Sequence, residues 1–267
     1  MRTPFSYAQI YNSIEKAEKY WKSISAKSPA PETLTEKWLM QKSFFKEVSR
    51  RNHVIIFLWN SNANEFVFVC DEKHVLGGYD LSLYTGPNGV DFSISNFHPD
   101  YLNSNLVLHQ QMGEFIFLQA EGKAKETIAS FDSFYKKNDN SYFHVLQQTV
   151  CVETDDTGQP ALFLSYGHDI TSLKKEDTSN LVIKSAERIF HWNYNFDKQQ
   201  IEEVKPISPQ EMKVLELLNQ GRDTKKIAAE LFISPLTVDT HRRNLLKKTN
   251  CVDTTALVTY AKIVGIL

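Results

Sequence analysis

A short segment near the C-terminus concentrates side chains that suit contact with a polyanion. Residues 232–250 read FISPLTVDTHRRNLLKKTN, with two arginines and two lysines in a helix-like run that follows a serine and a proline. Leu236, Thr240, Arg243 and Lys247 recur at helical spacing and therefore share one stripe of the helix. Such a helix fits the major groove of B-DNA, where arginine can bond guanine and a threonine methyl can meet the methyl of thymine.

The opposite stripe of the same segment is mostly apolar. Val238, His241 and Leu245 stand three and four positions apart, so we expect them to pack inward. A solvated amphipathic helix without a nucleic-acid partner would show the same two stripes. Charge favours a polyanion partner, because residues 207–267 hold nine Lys and Arg against six Asp and Glu. This net +3 leaves −5 on residues 1–206, given the chain's net −2.

Several side chains around the exposed stripe are placed to contact phosphates. We expect Lys225, Lys247 and Lys248 to supply positive charge to the DNA backbone. The free N–H groups of the helix that begins after Ser234 would bind one more phosphate. Arg242 flanks the stripe and belongs to the same candidate surface.

Residues 207–267 contain the signals of four short helices. Polar N-cap residues precede them: Ser208, Asp223, Ser234 and Asp253. Glu211 completes a capping box at the first helix, which also has proline at its first position. The link between the second and third helices is only residues 232–234, which is the length of a helix-turn-helix connection.

With these signals, residues 207–264 resemble the LuxR-type (GerE-type) helix-turn-helix domain. Matching positions extend across the segment: Ser208, Glu211, Val214, Leu215, Leu217, Gly221, Ile227, Ala228, Leu231, Ile233, Ser234, Thr237, Val238, His241, Lys248 and Ala256. The resemblance implies sequence-specific DNA binding, with the third helix in the major groove and the fourth helix often serving in dimerisation. It also implies two sets of DNA contacts: base contacts at Asp239, Thr240 and Arg243, and backbone contacts near Lys225, Thr237 and Lys247.

Two positions depart from the family pattern. Asp239 stands where a basic or neutral residue is more usual. Its carboxylate repels phosphate, but it could accept a hydrogen bond from a cytosine amino group or pair with Arg242 or Arg243. Phe232 stands in a turn position often held by glycine, where a left-handed backbone would cost free energy that packing of the ring could offset.

Upstream, five β-rich runs are separated by turn signals. Residues 53–59 and 66–70 flank an Asn-rich turn and predict a hairpin. Three further runs, 129–137, 141–154 and 161–170, are separated by the turn sequences NDN and DDTGQP. Alternation in the fourth run predicts two faces: Phe143, Val145 and Gln147 on one, and Tyr142, His144 and Leu146 on the other.

The order of these runs resembles a PAS domain over roughly residues 52–172. Pro99-Asp100 fits the family's His-Pro-Asp-type segment, and Gly158, Pro160 and Asp169-Ile170-Thr171 fit its closing pattern. An unrelated small β-sheet domain is the alternative. The predicted fold class is α+β, with N-terminal helices and a PAS-like antiparallel five-stranded sheet followed by a four-helix LuxR-type domain. The predicted boundaries are an N-terminal helical segment at 1–51, a PAS-like sensor domain at 52–172, a connector at 173–206 and the DNA-binding domain at 207–267.

The PAS resemblance implies a cup in which a sheet, with helices over one face, often encloses a ligand. We expect either a small ligand of unspecified identity or a ligand-free dimerisation domain, and no cofactor is predicted. A haem would need an axial ligand, for which His98, His109 and His144 are the nearby candidates, although a lone histidine is more often structural. Neither Cys70 nor Cys151 lies in the local motif of a flavin photosensor.

Composition and motifs argue against several classes of protein. The longest apolar run, residues 54–59, is too short to span a bilayer, and the N-terminus lacks an apolar signal core. Three scattered cysteines argue against a disulfide framework and a zinc site, and they fit a reducing cytoplasm. The sequence shows no phosphate-binding glycine loop, nucleophile elbow or paired metal-binding histidines, so no catalytic or metal-binding residues are predicted.

These observations together predict a bacterial, cytoplasmic transcriptional regulator rather than an enzyme. We expect it to bind double-stranded DNA as a homodimer, with RNA polymerase as a further candidate partner and no membrane association. The alternative is a protein-interaction adaptor whose basic helix binds an acidic partner. Salt dependence separates the two, because DNA binding through several phosphates weakens log-linearly as salt rises.

Overall fold

The N-terminal part of the structure begins with two short helices against a sheet. A computed structural model describes residues 32–86, 88–119, 122–175, 178–186 and 188–267. The first part of the helical segment predicted at 1–51, around YAQIYNSIEKAEKYW, lies outside the described residues. Its second part contains two helices, α1 (Glu32–Leu39) and α2 (Lys42–Asn52). Phe45 of α2 is buried against Ile56 and Leu58, which anchors the helix to the sheet.

The described residues form one eight-stranded antiparallel sheet in the order β2-β1-β5-β4-β3-β6-β7-β8. Its strands are β1 (Ile55–Asn60), β2 (Glu65–Cys70), β3 (Thr127–Lys136), β4 (Tyr142–Thr154), β5 (Pro160–Asp169), β6 (Asn180–Ser185), β7 (Arg188–Asn195) and β8 (Gln200–Glu203). All five predicted strands are present, but the predicted number of strands is wrong. Residues 180–203, predicted as connector, add three strands because β6 pairs with the edge of β3 that a five-stranded sheet would leave open.

Helices cover one face of this sheet. They are α3 (Gly89–Ser95) and α4 (Leu102–Glu114), and α4 runs on into a π-helical turn at Phe115–Gln119. Leu108 and Met112 of α4 pack with Phe131 and Phe163 from the strands. Alternate side chains of a β-strand point to opposite sides of the sheet, so each strand can supply apolar side chains to the face under these helices.

The C-terminal domain covers part of the other face. Its helices are α5 (Pro209–Asn219), α6 (Thr224–Leu231), α7 (Pro235–Thr249) and α8 (Thr254–Ile263). The alternation predicted for β4 is confirmed, since Phe143 and Val145 lie in the core under the helices while Leu146 packs with the C-terminal domain. One sheet therefore carries a helical cover on one side and the C-terminal domain on the other.

Two observations concern the chain's surroundings and redox state. No helix in the described part of the chain is long and apolar enough to cross a membrane. Cys70, Cys151 and Cys251 are free and buried. Burial raises the pKa of the Cys70 and Cys151 thiols to about 11, so both stay protonated near neutral pH.

Candidate nucleic-acid interface

Local sequence signals set both ends of α7. The Ser234 side chain accepts a hydrogen bond from the Thr237 N–H at 3.1 Å, which satisfies a free donor at the first turn. Asn250 ends the helix in the left-handed conformation with φ 56°. The link from α6 is residues 232–234, as the sequence predicts. The ends of α7 and the short connection before it therefore follow from short-range signals.

The two stripes of α7 are confirmed. Val238 and Leu245 have no exposed surface and His241 is half-buried, so this stripe faces the domain core. The opposite stripe lies in solvent and consists of Leu236, Thr240, Arg243 and Lys247. Leu236 is 72% exposed, so its apolar side chain is available at the surface.

Hydrogen bonds order the polar part of the exposed stripe. The Thr240 hydroxyl donates to the Leu236 carbonyl at 2.9 Å, so the threonine methyl is held in one rotamer. A guanidinium N–H of Arg243 donates to the same hydroxyl at 3.3 Å. The stripe thus presents a methyl group and a cationic group side by side.

Arg242 has a different role from Arg243. Its guanidinium donates to Thr224 of α6 at 3.0 Å and to Thr254 of α8 at 2.8 Å, so it ties three helices together. Asp239 lies 3.4 Å from Arg242 and accepts from Thr224 at 3.4 Å. Of the two arginine partners that the sequence leaves open for Asp239, the structure selects Arg242.

Lys248 is occupied inside the domain. Its ammonium group lies 2.6 Å from the Glu211 carboxylate and donates to the Pro206 carbonyl at 2.8 Å. Burial alone would raise the pKa of Glu211, but hydrogen bonds from Lys248 and from Ser208 outweigh it and lower the pKa below its usual value. A phosphate contact by Lys248 would have to compete with this ion pair, so its DNA-binding role stays a prediction.

The remaining predicted contact residues lie at the open end of the surface. Lys225 and Ser234 are exposed, and Thr237 is half-buried with its hydroxyl 2.8 Å from that of Ser234. Lys225 and Lys247 are not part of any ion pair in the described part of the chain. Both ammonium groups can therefore meet phosphates without breaking an internal contact.

Phe232 has the predicted backbone conformation but no packing partner for its ring. It caps α6 in the left-handed region at φ 55°, and its side chain is 95% exposed. The expectation that the ring offsets the backbone cost by packing is wrong.

A cavity of about 280 Å³ lies between the sheet and the helices that cover it. Of the three histidines considered for haem, only His109 lies in its wall. His98 instead accepts from the Asp100 N–H at 3.2 Å, and His144 lies on the opposite face, 3.5 Å from Asp132. Burial lowers the pKa of His109 to about 4, so this imidazole is neutral near pH 7.

A buried contact between the sheet and the C-terminal domain was missed from the sequence. Lys174 and residue 251 pair as an antiparallel bridge, and Val252 N–H donates to the Leu173 carbonyl at 3.0 Å. The Gln148 side chain of β4 donates to the Ile263 carbonyl at 2.9 Å. The one signal for this contact is Asp132, the single acidic residue in the middle of β3.

Comparisons with known proteins match the C-terminal segment. Residues 205–261 match the luxR family of bacterial regulatory proteins (GerE). The transcriptional regulatory protein MctR of Rhizobium johnstonii is 42% identical over 62 residues, which are 23% of this chain and 29% of that protein. The transcriptional regulatory protein UhpA of Salmonella typhimurium is 54% identical over 43 residues, or 16% and 22% of the two chains. The chain thus spans less than a third of the length of these curated relatives.

Similarity to solved structures extends over more of the chain but is weak. A Vibrio cholerae VqmA complex with ligand and DNA has a TM-score of 0.33 and 17% identity, covering 84% of this chain and 85% of that one. VqmA bound to DPO gives a TM-score of 0.33 and 16% identity, covering 82% and 89%. Scores of this size carry no conclusion about a shared function. The four capped helices, the three-residue turn and the family match agree for the C-terminal segment, and residues 205–261 are therefore a LuxR-type helix-turn-helix domain.

Proposed function

We propose that this chain is a sequence-specific DNA-binding regulator of transcription. The observation that carries the proposal is the exposed stripe of α7, where Leu236, Thr240, Arg243 and Lys247 lie in solvent while Val238 and Leu245 are buried. The apolar face of such a helix is buried and its cationic face is exposed. The helix can therefore enter a major groove while its domain stays folded.

The exposed residues divide into two roles. Thr240 and Arg243 would contact base edges, and Lys225, Thr237 and Lys247 would contact the backbone together with the Leu236 N–H at the start of α7. Asp239 would join the base contacts, with its position set by Arg242. Arg242 itself is held by Thr224 and Thr254, so its contribution would be to fix the geometry of the surface.

A homodimer would give this surface two half-sites. Half-sites about one helical turn apart are read by two copies of a helix-turn-helix domain held at a fixed spacing. The face of α8 that contains Tyr260 and Ala261 is buried, whereas Thr255, Thr259 and Lys262 are exposed. A second copy would therefore meet the polar side of α8 while the domain stays on the sheet.

The sheet domain would act as a PAS-like sensor in the bacterial cytoplasm. A cavity under helices on one face of a sheet fits the cup that the PAS resemblance implies. Strand β4 connects this cavity to the DNA-binding domain, since Gln147 and Thr149 line the cavity and Leu146 and Gln148 contact the C-terminal domain. A ligand that shifts β4 would change how the domain is held.

The experiment is to select bound fragments from random duplex DNA with the full chain and to measure affinity across a salt series. We expect a selected sequence and a log-linear fall in affinity, with a slope of about −0.9 per phosphate contacted. The rival function is an adaptor whose basic helix binds an acidic protein. Failure to enrich any sequence, with binding to duplex DNA no tighter than to a polyacidic peptide, would favour the adaptor.

Crosslinking and small-angle scattering, with and without DNA, test the proposed dimer. Finding only monomers in both states would exclude it.

A further inference from the structure

The cavity under the helices has walls from both layers of the domain. The sheet contributes Trp59, Phe163 and Gln147, while α4 and the π-helical turn contribute Met112 and Ile116. At about 280 Å³ it lies at the small end of the range of ligand pockets in proteins. The wall is mostly aromatic and aliphatic, so an occupant would be held chiefly by burial of apolar surface.

Charge in the wall restricts what can occupy the cavity. The described residues that line it include no lysine, arginine, aspartate or glutamate. His109 is neutral near pH 7 because burial lowers its pKa to about 4. Its Nδ1 atom bonds the Asn105 carbonyl at 2.7 Å, which fixes the proton on that nitrogen. An ionised ligand would meet no opposite charge here and would lose its hydration, so the wall excludes it.

Two asparagines in the wall have amide atoms without partners. Asn105 is fully buried, and neither its Oδ1 nor its Nδ2 has a hydrogen-bond partner in the protein. Oδ1 of Asn64, also in the wall, is buried without a partner. These are three of the nine such atoms found among the described residues, although the cavity wall is a small part of the molecule. Buried polar groups are normally satisfied, so this concentration indicates that a partner is supplied from outside the chain.

Other polar groups in the wall already have hydrogen-bond partners in the protein. Thr149 and Ser165 share a hydrogen bond of 2.9 Å, and Gln147 donates to Thr149 at 3.5 Å. Asn103 donates to the Tyr194 hydroxyl at 2.5 Å. Among the described residues of the wall, the buried polar atoms without a partner therefore belong to Asn105 and Asn64.

From this pattern we infer that the cavity binds a small uncharged organic molecule with an apolar body and an adjacent donor and acceptor, such as a carboxamide or lactam, paired with the Asn105 amide. The inference rests on the proposed sensory function, since it names the chemical class of the ligand. A carboxamide meets a second carboxamide through two hydrogen bonds, one in each direction, which would satisfy both free atoms of Asn105. The apolar body would lie against Trp59, Met112 and Phe163.

The test compares three probes of similar size on the full-length protein: benzamide, toluene and benzoate. Dissociation constants are measured by ligand-observed NMR or calorimetry. We expect benzamide to bind at least fivefold more tightly than toluene, which lacks the polar group, and benzoate to bind most weakly. Toluene or benzoate binding as tightly as benzamide would overturn the inference, as would no detectable benzamide binding at 10 mM, about tenfold above the ~1 mM expected of a weak ligand. This ranking needs no variant.

Asn105→Leu tests the assigned residue. Leucine is similar in size and leaves no unpaired amide, so the free variant should melt at or above the temperature of the wild type. It should lose at least fivefold in benzamide affinity while binding toluene as tightly as before. Asn193→Leu is the matched control, because Asn193 also has a buried amide oxygen without a partner but lies outside the cavity wall.

The outcomes separate the ligand from the DNA-binding function. Unchanged benzamide affinity in Asn105→Leu, or an equal loss in Asn193→Leu, would overturn the role of Asn105. DNA affinity is measured on the same proteins without a probe. If probes bind as expected while no DNA sequence is selected, the proposed regulatory function fails and the ligand class stands. If DNA is selected and no probe binds, the ligand class alone fails.

Discussion

Lys174 and Asp132 form an ion pair that is shut off from solvent. The Lys174 Nζ atom lies 3.2 Å from Asp132 Oδ2, and neither side chain has exposed surface. The backbone N–H and side-chain amide of Asn180 each donate to the same carboxylate at 2.8 Å. The Lys174 ammonium group also donates to the Thr249 carbonyl and lies 3.7 Å from the centre of the Tyr260 ring. One cation thus joins the sheet to the last two helices of the DNA-binding domain.

Removing this cation should destabilise the protein strongly. We expect Lys174→Met to lower the free energy of unfolding by about 3–5 kcal/mol, because the buried Asp132 charge would lose its partner. Urea unfolding measures the change. Adding Asp132→Asn to the same chain should recover most of the loss, since no buried charge remains. Lys198→Met, which breaks an exposed pair with Glu202, is the control and should leave the free energy of unfolding nearly unchanged. Equal losses at the two lysines would show that the buried pair does not hold the interface.

Acid should weaken the same contact over a defined pH range. Burial opposes ionisation of Asp132, but Lys174 and His144 outweigh it and lower its pKa from 3.8 to about 2. Because the folded-state pKa is below the unfolded one, the carboxylate stabilises the fold above about pH 4, and this is lost as the pH falls from about 4 to 2. The loss is on the order of 2 kcal/mol. As the pH falls through this range, the free energy of unfolding should fall less steeply in Asp132→Asn than in the wild type. Parallel curves for the two proteins would contradict the prediction.

Two partly buried histidines predict an earlier loss of stability. Burial lowers the pKa of His109 and His191 to about 4. The unfolded chain takes up these protons near pH 6.5, before the folded chain does, so stability should fall as the pH drops from about 6.5 to 4. Each histidine contributes on the order of 3 kcal/mol to this fall. The free energy of unfolding of His109→Gln should change less with pH over this range than that of the wild type. A wild-type protein whose free energy of unfolding is constant over this range would exclude the effect.

The exposed ring at the helix-turn-helix connection predicts a stabilising substitution. Phe232 has φ 55° and a 95% exposed side chain, so Phe232→Gly removes backbone strain and no packing. We expect a gain of about 1 kcal/mol in the free energy of unfolding. Gly221→Ala, at φ 75° with nothing near an added Cβ, is the converse change and should cost about 1 kcal/mol. A loss of stability in Phe232→Gly would mean that the ring has a contact in solution that offsets its strain.

Two neighbouring cations on α7 should differ in what they do on DNA. Arg243→Ala should cost about 1–3 kcal/mol on the selected sequence and relax the preference at one base pair. Lys247→Ala should weaken every sequence alike and reduce the salt slope by about 1. Binding to a panel of single-base variants of the selected fragment measures both. An equal loss across the panel for Arg243→Ala would remove its proposed role in reading bases.

The C-terminal helices could be predicted because their signals are local. Each N-cap lies within three residues of the N–H group it accepts from, as Ser208, Asp223 and Asp253 do. The burial of Val238 and Leu245 follows from helical spacing alone. The alternation of β4 was predictable for the same reason. Residues 180–203 were harder to assign, because a strand at the edge of a sheet is defined by pairing with β3, which is distant in sequence.

The sequence by itself determined the helices, the caps and turn of the DNA-binding domain, and the exposed stripe on α7, since each depends on residues a few positions apart. Only the tertiary structure decided which charged groups are free to meet DNA. Arg242 and Lys248 look equivalent to Arg243 and Lys247 in the sequence, yet Thr254 and Glu211 occupy them. The cavity, the unpaired amide of Asn105 and the buried Lys174 likewise depend on groups brought together from distant parts of the chain. No short-range pattern encodes such contacts.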